Sequence, residues 1–152
     1  MDNNDIFRRL RYILNYNDLK MSEVFTLAEE PVKQAKVTTW LKSDEDSDFV
    51  KMPDVMMATF LNGLINQKRG KKDGAQPSPE QEVNNNIIFR KLRIAFDLQS
   101  DDILELFEMA GTRLSPHELS AFFRNPNHAK YKECNDQYLR HFLKGLQMKI
   151  RD

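Results

Sequence analysis

Apolar side chains near the start of the chain fall at Ile6, Phe7, Leu10, Ile13 and Leu14, while Arg8, Arg9, Arg11 and Tyr12 occupy the positions between. At 100° per residue the first set forms one arc of an α-helix and the second set covers the rest of its circumference. The same spelling returns 82 residues later, where "FRRLR" at Phe7–Arg11 becomes "FRKLR" at Phe89–Arg93, followed by Ile94. Three further stripes recur at the same offset. Met21, Val24, Phe25 and Ala28 answer to Ile103, Leu106, Phe107 and Ala110, and Val37, Trp40 and Leu41 answer to Leu119, Phe122 and Phe123. Met57, Phe60, Leu61 and Leu64 answer to Leu139, Phe142, Leu143 and Leu146. Steps of three and four dominate, and no segment of useful length alternates with period two. Each half therefore reads as four amphipathic helices.

The register between residues 3–70 and 85–152 needs no gap, and 16 of its 68 pairs are identical, which marks an internal duplication. The expected architecture is all-α: two tandem, pseudo-twofold-related four-helix units. The first unit spans residues 1–70, a glycine-, proline- and charge-rich linker covers 71–84, and the second unit spans 85–152. A unit of that size is marginal alone, so the two are expected to pack together.

Punctuation supports these helices. "SPHE" at Ser115–Glu118 places a serine N-cap, a proline at the first helical position and a glutamate three residues past the cap. Leu114 and Leu119 stand at the spacing of a hydrophobic staple, and Asp54 and Asp136 place a negative charge in the first turn of each fourth helix. Gly63 and Gly145 lie inside helical patterns at matched positions, where glycine costs about 1 kcal/mol against alanine. Close helix crossing is the expected compensation. Trp40 and Phe122 continue apolar stripes and read as core, as do Met52, Met56 and Met57.

Charge changes the picture little at the scale of the whole chain. Lys plus Arg and Asp plus Glu both number 23, so no net field favours nucleic acid or membrane, and any basic surface must be local. The repeated basic residues supply one candidate. Arg8, Arg9 and Arg11 with Tyr12, and Arg90, Lys91 and Arg93 with Ile94, would form a binding surface presented twice. The alternative is that they are solvated or paired with acids kept at equivalent places, such as Glu23 and Glu105 or Asp54 and Asp136. The second and third helices of each half also share the outline of a DNA-binding helix-turn-helix. The fit is loose: positions near Pro31 and Arg113 stand where a turn glycine belongs, and Lys33, Gln34 and Lys36 are replaced by Ser115, Pro116 and Glu118.

Candidate chemistry is sparse. His117, His128 and His141 pair neither with one another nor with Cys134 at metal-ligand spacing, and Cys134, being single, forms no internal disulfide. The acidic run Ser43–Asp48 lacks the glycine and terminal glutamate of a calcium loop and reads as a solvated connection. There is no glycine-rich phosphate loop, nucleophile elbow or "HExxH" helix. No signal-peptide pattern opens the sequence and no stretch approaches a membrane span.

The segments "NNDIFRRLRYIL", "EEPVKQAKVTTWLK" and "FLNGLINQKRG", with their second copies "NNNIIFRKLRIAF" and "HFLKGLQMKIR", resemble the YehS-like family of bacterial proteins over nearly the whole chain. The resemblance implies a cytoplasmic setting and an all-helical duplicated fold, and brings no catalytic or binding residues. The expected function is a non-enzymatic binding or adaptor module with a protein partner. A DNA-binding regulator is the alternative, and no cofactor, metal, membrane or small-molecule substrate is expected.

Overall fold

The computed structural model describes residues 1–152 and contains eight helices and no strand. In the first half these are α1 (Asn3–Leu14), α2 (Asp18–Leu27), α3 (Gln34–Leu41) and α4 (Asp54–Arg69). The second half repeats them as α5 (Asn85–Ala95), α6 (Ser100–Met109), α7 (Pro116–Phe122) and α8 (Asp136–Ile150). The chain divides into two compact units, Met1–Val83 and Asn84–Asp152. Of the expected linker 71–84, residues 71–83 group with the first unit and Asn84 with the second. They form no helix, yet Lys71 pairs with Glu29 at 3.1 Å, Asn66 Nδ2 donates to Gln76 Oε1 at 2.8 Å, and the Val83 amide donates to Asp54 at 3.1 Å.

In the first unit α2 packs on α3 and α4, and α1 rests on the same pair. The core is aromatic, with Phe7 at its hub. Phe7 meets Phe60 edge-on at 4.9 Å between ring centres, Phe25 at 6.2 Å and Trp40 at 6.3 Å. In the second unit Phe89 takes the same place against Phe142 at 4.5 Å, Phe122 at 5.9 Å and Phe107 at 6.2 Å. The phenylalanine of the repeated pentamer recurs because each unit centres its core on it. Edge-on and tilted ring pairs add to the burial of ring area.

The glycines do what their spacing predicts. A Cβ on Gly63 would lie 2.1 Å from the Val24 carbonyl oxygen, and one on Gly145 would lie 2.1 Å from that of Leu106. The backbones of α2 and α4, and of α6 and α8, cross in contact at these points. The backbone repeats even where it is unusual: Asn15 and Asp97 both sit in the left-handed region, as do Glu29 and Gly111. Ser115 caps α7 with the Glu118 amide donating to its hydroxyl at 3.1 Å, and Glu118 accepts in return from the Ser115 amide. Met52 and Met57 are fully buried, whereas Met56 is half-buried.

One recurring device escaped the reading of the sequence. Asn4 and Asn86 are buried side chains at the start of α1 and α5. Asn4 Nδ2 donates to the carbonyls of Trp40 (3.0 Å) and Val50 (2.9 Å), and its Oδ1 accepts from the Met52 amide at 2.9 Å. Asn86 repeats all three contacts, to Phe122 (3.0 Å), Lys132 (2.9 Å) and the Cys134 amide (2.8 Å). The preceding residues, Asn3 and Asn85, bond the Met52 and Cys134 carbonyls and the first-turn acids Asp54 and Asp136. Each Asn-Asn pair thus holds the extended segment that leads into the unit's last helix.

Cys134 lies within this device and is buried. Desolvation, with Asp136 adding a smaller electrostatic contribution, pushes its thiol up to about 12. The folded state therefore holds the proton more tightly than the unfolded chain. That contribution to stability is present below the ordinary thiol range and falls away as the pH rises from there to about 12. Because the thiolate is the reactive form, native Cys134 is expected to label at neutral pH only through opening of the second unit. Labelling of the native protein as fast as of the urea-unfolded chain would contradict this burial.

Candidate functional site

Asp2 and Asp5 form a capping box that opens α1, and Ile6, Phe7, Leu10 and Ile13 turn its apolar arc inward. Arg8 then stands beside the connection after α3. Its guanidinium donates to the Lys42 carbonyl at 2.7 Å, to Asp5, and to Asp44 at 3.4 Å. Asp5 is held below the usual carboxylate range: burial works against this, but the Asp2 amide and Arg8 outweigh it together. Arg11 approaches Asp18 at 3.7 Å, Arg9 is half-buried, and Tyr12 is 47% exposed.

In the second unit Arg90 is exposed, but Lys91 is buried, only 8% of its surface being accessible. The expectation that Lys91 belongs to an outward-facing basic surface is therefore corrected. At helical spacing it falls beside Ile88 and Ala95 on the edge of the apolar arc. Arg93 lies over the Phe123 ring at 4.7 Å and donates to the Leu98 carbonyl and the Ser100 hydroxyl, both at 3.2 Å. Ile94, the counterpart of Tyr12, is 45% exposed.

The counterions differ from those expected. Glu23 pairs with Lys20 at 3.8 Å and Glu105 with Lys149 at 3.5 Å, while Asp54 and Asp136 serve the Asn-Asn clamps. The acids that reach Arg8 and Arg11 are Asp5, Asp44 and Asp18, whose second-copy counterparts are Ile87, Pro126 and Ser100. The duplication kept the basic residues and changed their partners. Such partly exposed pairs contribute about 0.2–1 kcal/mol each, so they orient side chains more than they stabilise the unit.

The helix-turn-helix outline departs further. Six residues separate α2 from α3, and six separate α6 from α7, against the three- or four-residue turn of that motif. The exposed start of α3 carries Gln34 and Lys36, whereas α7 presents Pro116 and His117. No group of three His, Cys, Asp or Glu side chains stands together as metal ligands, and no helix is long and apolar enough to cross a membrane.

Comparison with known proteins agrees with the repeated geometry. The family model described as "Protein of unknown function (DUF1456)" matches twice, at residues 3–70 and 85–152. The chain is 42% identical over 147 residues to "Uncharacterized protein YehS" of Escherichia coli (strain K12), an alignment covering 96% of this chain and 94% of that relative. No solved structure matches. With the model covering both four-helix units and leaving out the segment between them, the chain belongs to the DUF1456 family and carries its domain in tandem.

Proposed function

We propose that this protein is a non-enzymatic binding module of the cytoplasm, which engages a protein partner through the first helices of its two units. One observation carries the reading. Four large apolar side chains are exposed, Tyr12, Leu19, Ile94 and Ile150, and two of them, Tyr12 and Ile94, occupy the same position of the repeat. An exposed apolar residue flanked by arginine has the character of an interface anchor. DNA binding ranks below this reading because the guanidiniums of Arg8, Arg11 and Arg93 are engaged within their own units and Lys91 is buried. That leaves a sparse set of cations for phosphates.

The test is a Tyr12→Glu/Ile94→Glu variant. Both side chains are exposed, so the fold is expected to survive, while a charge at two anchors should weaken the partner complex by about 2 kcal/mol or more, roughly thirtyfold. Affinity purification of both forms, compared by quantitative mass spectrometry, should show a protein retained by the wild type and lost by the variant. Identical sets of retained proteins would sink the proposal. If instead the wild type bound mixed-sequence duplex DNA, with affinity falling steeply between ~50 and ~200 mM salt, the regulator reading would replace it.

A further inference from the structure

We infer that the second unit contains an oxyanion-binding site that takes the phosphate or carboxylate group of a small molecule. The site is a cavity of about 290 Å³ lined by Thr112, Arg113, Asn135, Gln137, Tyr138 and His141. Neither Tyr12 nor Ile94 lines it, so it stands or falls independently of the partner-binding reading. It also revises the expectation that no small molecule is involved.

The two copies differ most usefully at this corner. The first-unit counterparts of the six lining residues are Glu30, Pro31, Pro53, Val55, Met56 and Thr59. Proline, valine and methionine side chains donate no hydrogen bond, Glu30 would repel an anion, and the Thr59 hydroxyl is spent on the Val55 carbonyl at 2.7 Å. At the same positions the second unit has placed a guanidinium, an imidazole, two carboxamides and the Thr112 hydroxyl, together with Tyr138, whose own hydroxyl is engaged by Glu118 and Lys132.

No carboxylate lines this cavity, although acids are close in sequence. Asp136 lies between Asn135 and Gln137, but its carboxylate accepts from Asn85 at 2.8 Å. Glu118, nearby, is taken up by Lys132 at 3.3 Å, the Tyr138 hydroxyl at 3.2 Å and the Ser115 amide at 3.3 Å. Arg113 is exposed and engages no acid, so its planar fork is available for bidentate contact with an oxyanion. Thr112 Oγ1 lies 2.7 Å from His141 Nδ1. Whichever partner donates in that bond, one O–H or N–H of the pair is left to donate elsewhere. Asn135 uses its carbonyl oxygen to cap α8 through the Tyr138 amide at 2.9 Å, which leaves its NH₂ available.

There is also room for the rest of a ligand. A second cleft of about 750 Å³ shares Thr112 and Arg113 with the first and adds Leu104, Leu114 and Pro116 on its apolar side and the carboxylates of Glu108 and Glu118 on its polar side. The anionic group is therefore expected in the smaller cavity and the remainder of the ligand in the larger cleft. The larger cleft alone is within the size range of small-molecule sites, and polar groups and apolar surface both line it.

The test is a titration of the ¹⁵N-labelled full chain with sodium phosphate, and separately with sodium acetate, at constant ionic strength maintained with chloride. The amides of Thr112, Arg113 and Gln137 should shift saturably, with a Kd on the order of 10 mM or below, while those of Glu30, Val55 and Met56 stay still. Arg113→Ala should raise that Kd about tenfold or more, and Gln137→Leu should raise it less. Phosphate saturating first assigns a phosphoryl ligand, and acetate saturating first assigns a carboxylate; either supports the site. Absence of saturation by both anions, or an Arg113→Ala titration indistinguishable from wild type, overturns it.

Discussion

Gly145→Ala is expected to destabilise the second unit by about 2 kcal/mol or more, and Gly63→Ala to do the same to the first. On an exposed helix the change would have the opposite sign, since alanine is favoured over glycine by about 1 kcal/mol. Here the new Cβ would meet the Leu106 carbonyl oxygen at 2.1 Å and its carbon at 2.7 Å. No side chain can rotate away to relieve a clash with backbone. The axes of α6 and α8 must separate, which loosens the packing of Leu106, Phe142 and Leu146, all buried beside the crossing. Overpacking of this kind typically costs 1–3 kcal/mol, and a backbone obstacle places it at the upper end or beyond. Each unit carries its own reporter: the only tryptophan, Trp40, lies in the first and the only cysteine, Cys134, in the second. Urea unfolding followed by tryptophan fluorescence should therefore register Gly63→Ala, and thiol labelling should register Gly145→Ala. An alanine variant as stable as wild type at either position would mean that the helices do not cross where the glycines stand.

The helices were legible because the core of each unit is built on a single apolar stripe per helix, from Phe7 and Phe89 through Leu64 and Leu146. The crossings were legible because glycine is costly in a helix and its retention at both matched positions demanded a packing reason. The ion pairs were not. Looking for acids kept at equivalent positions selects Glu23, Glu105, Asp54 and Asp136, but those were kept for other contacts. Arg8 is instead met by Asp5, one turn away, and by Asp44 from a loop whose path no periodicity describes.

The oxyanion cavity was hidden for the converse reason. Comparing the copies brings out what they share, and all six lining residues differ from their counterparts. Thr112 and Arg113 are also separated in sequence from Asn135–His141, so only the fold shows that they line one space. Lys91 illustrates a third limit. A lysine beside the apolar arc reads as exposed from its charge, yet only 8% of the surface of Lys91 is accessible.

Asn86→Ala, and Asn4→Ala in the first unit, are expected to cost about 2–4 kcal/mol each. The carboxamide satisfies three backbone groups at once, and chemistry fixes its orientation. Carbonyls of Phe122 and Lys132 only accept and the Cys134 amide only donates, so Nδ2 must face the first two and Oδ1 the third. Alanine leaves a buried amide and two carbonyls without these partners, at about 1–3 kcal/mol for a donor that finds no replacement and less for carbonyls with a second lone pair. Aspartate separates this account from simple loss of volume. It is nearly the same size and could accept from the Cys134 amide, but its second oxygen would face two carbonyls at hydrogen-bond distance. Asn86→Asp should therefore be at least as destabilising as alanine at neutral pH, and should recover part of the loss as the pH falls and the carboxyl takes up a proton with which to donate. Because Cys134 lies within the clamped segment, both variants should also speed its thiol labelling under native conditions. Equal stability of Asn86→Asp and wild type at neutral pH would show that the clamp does not hold the segment entering α8.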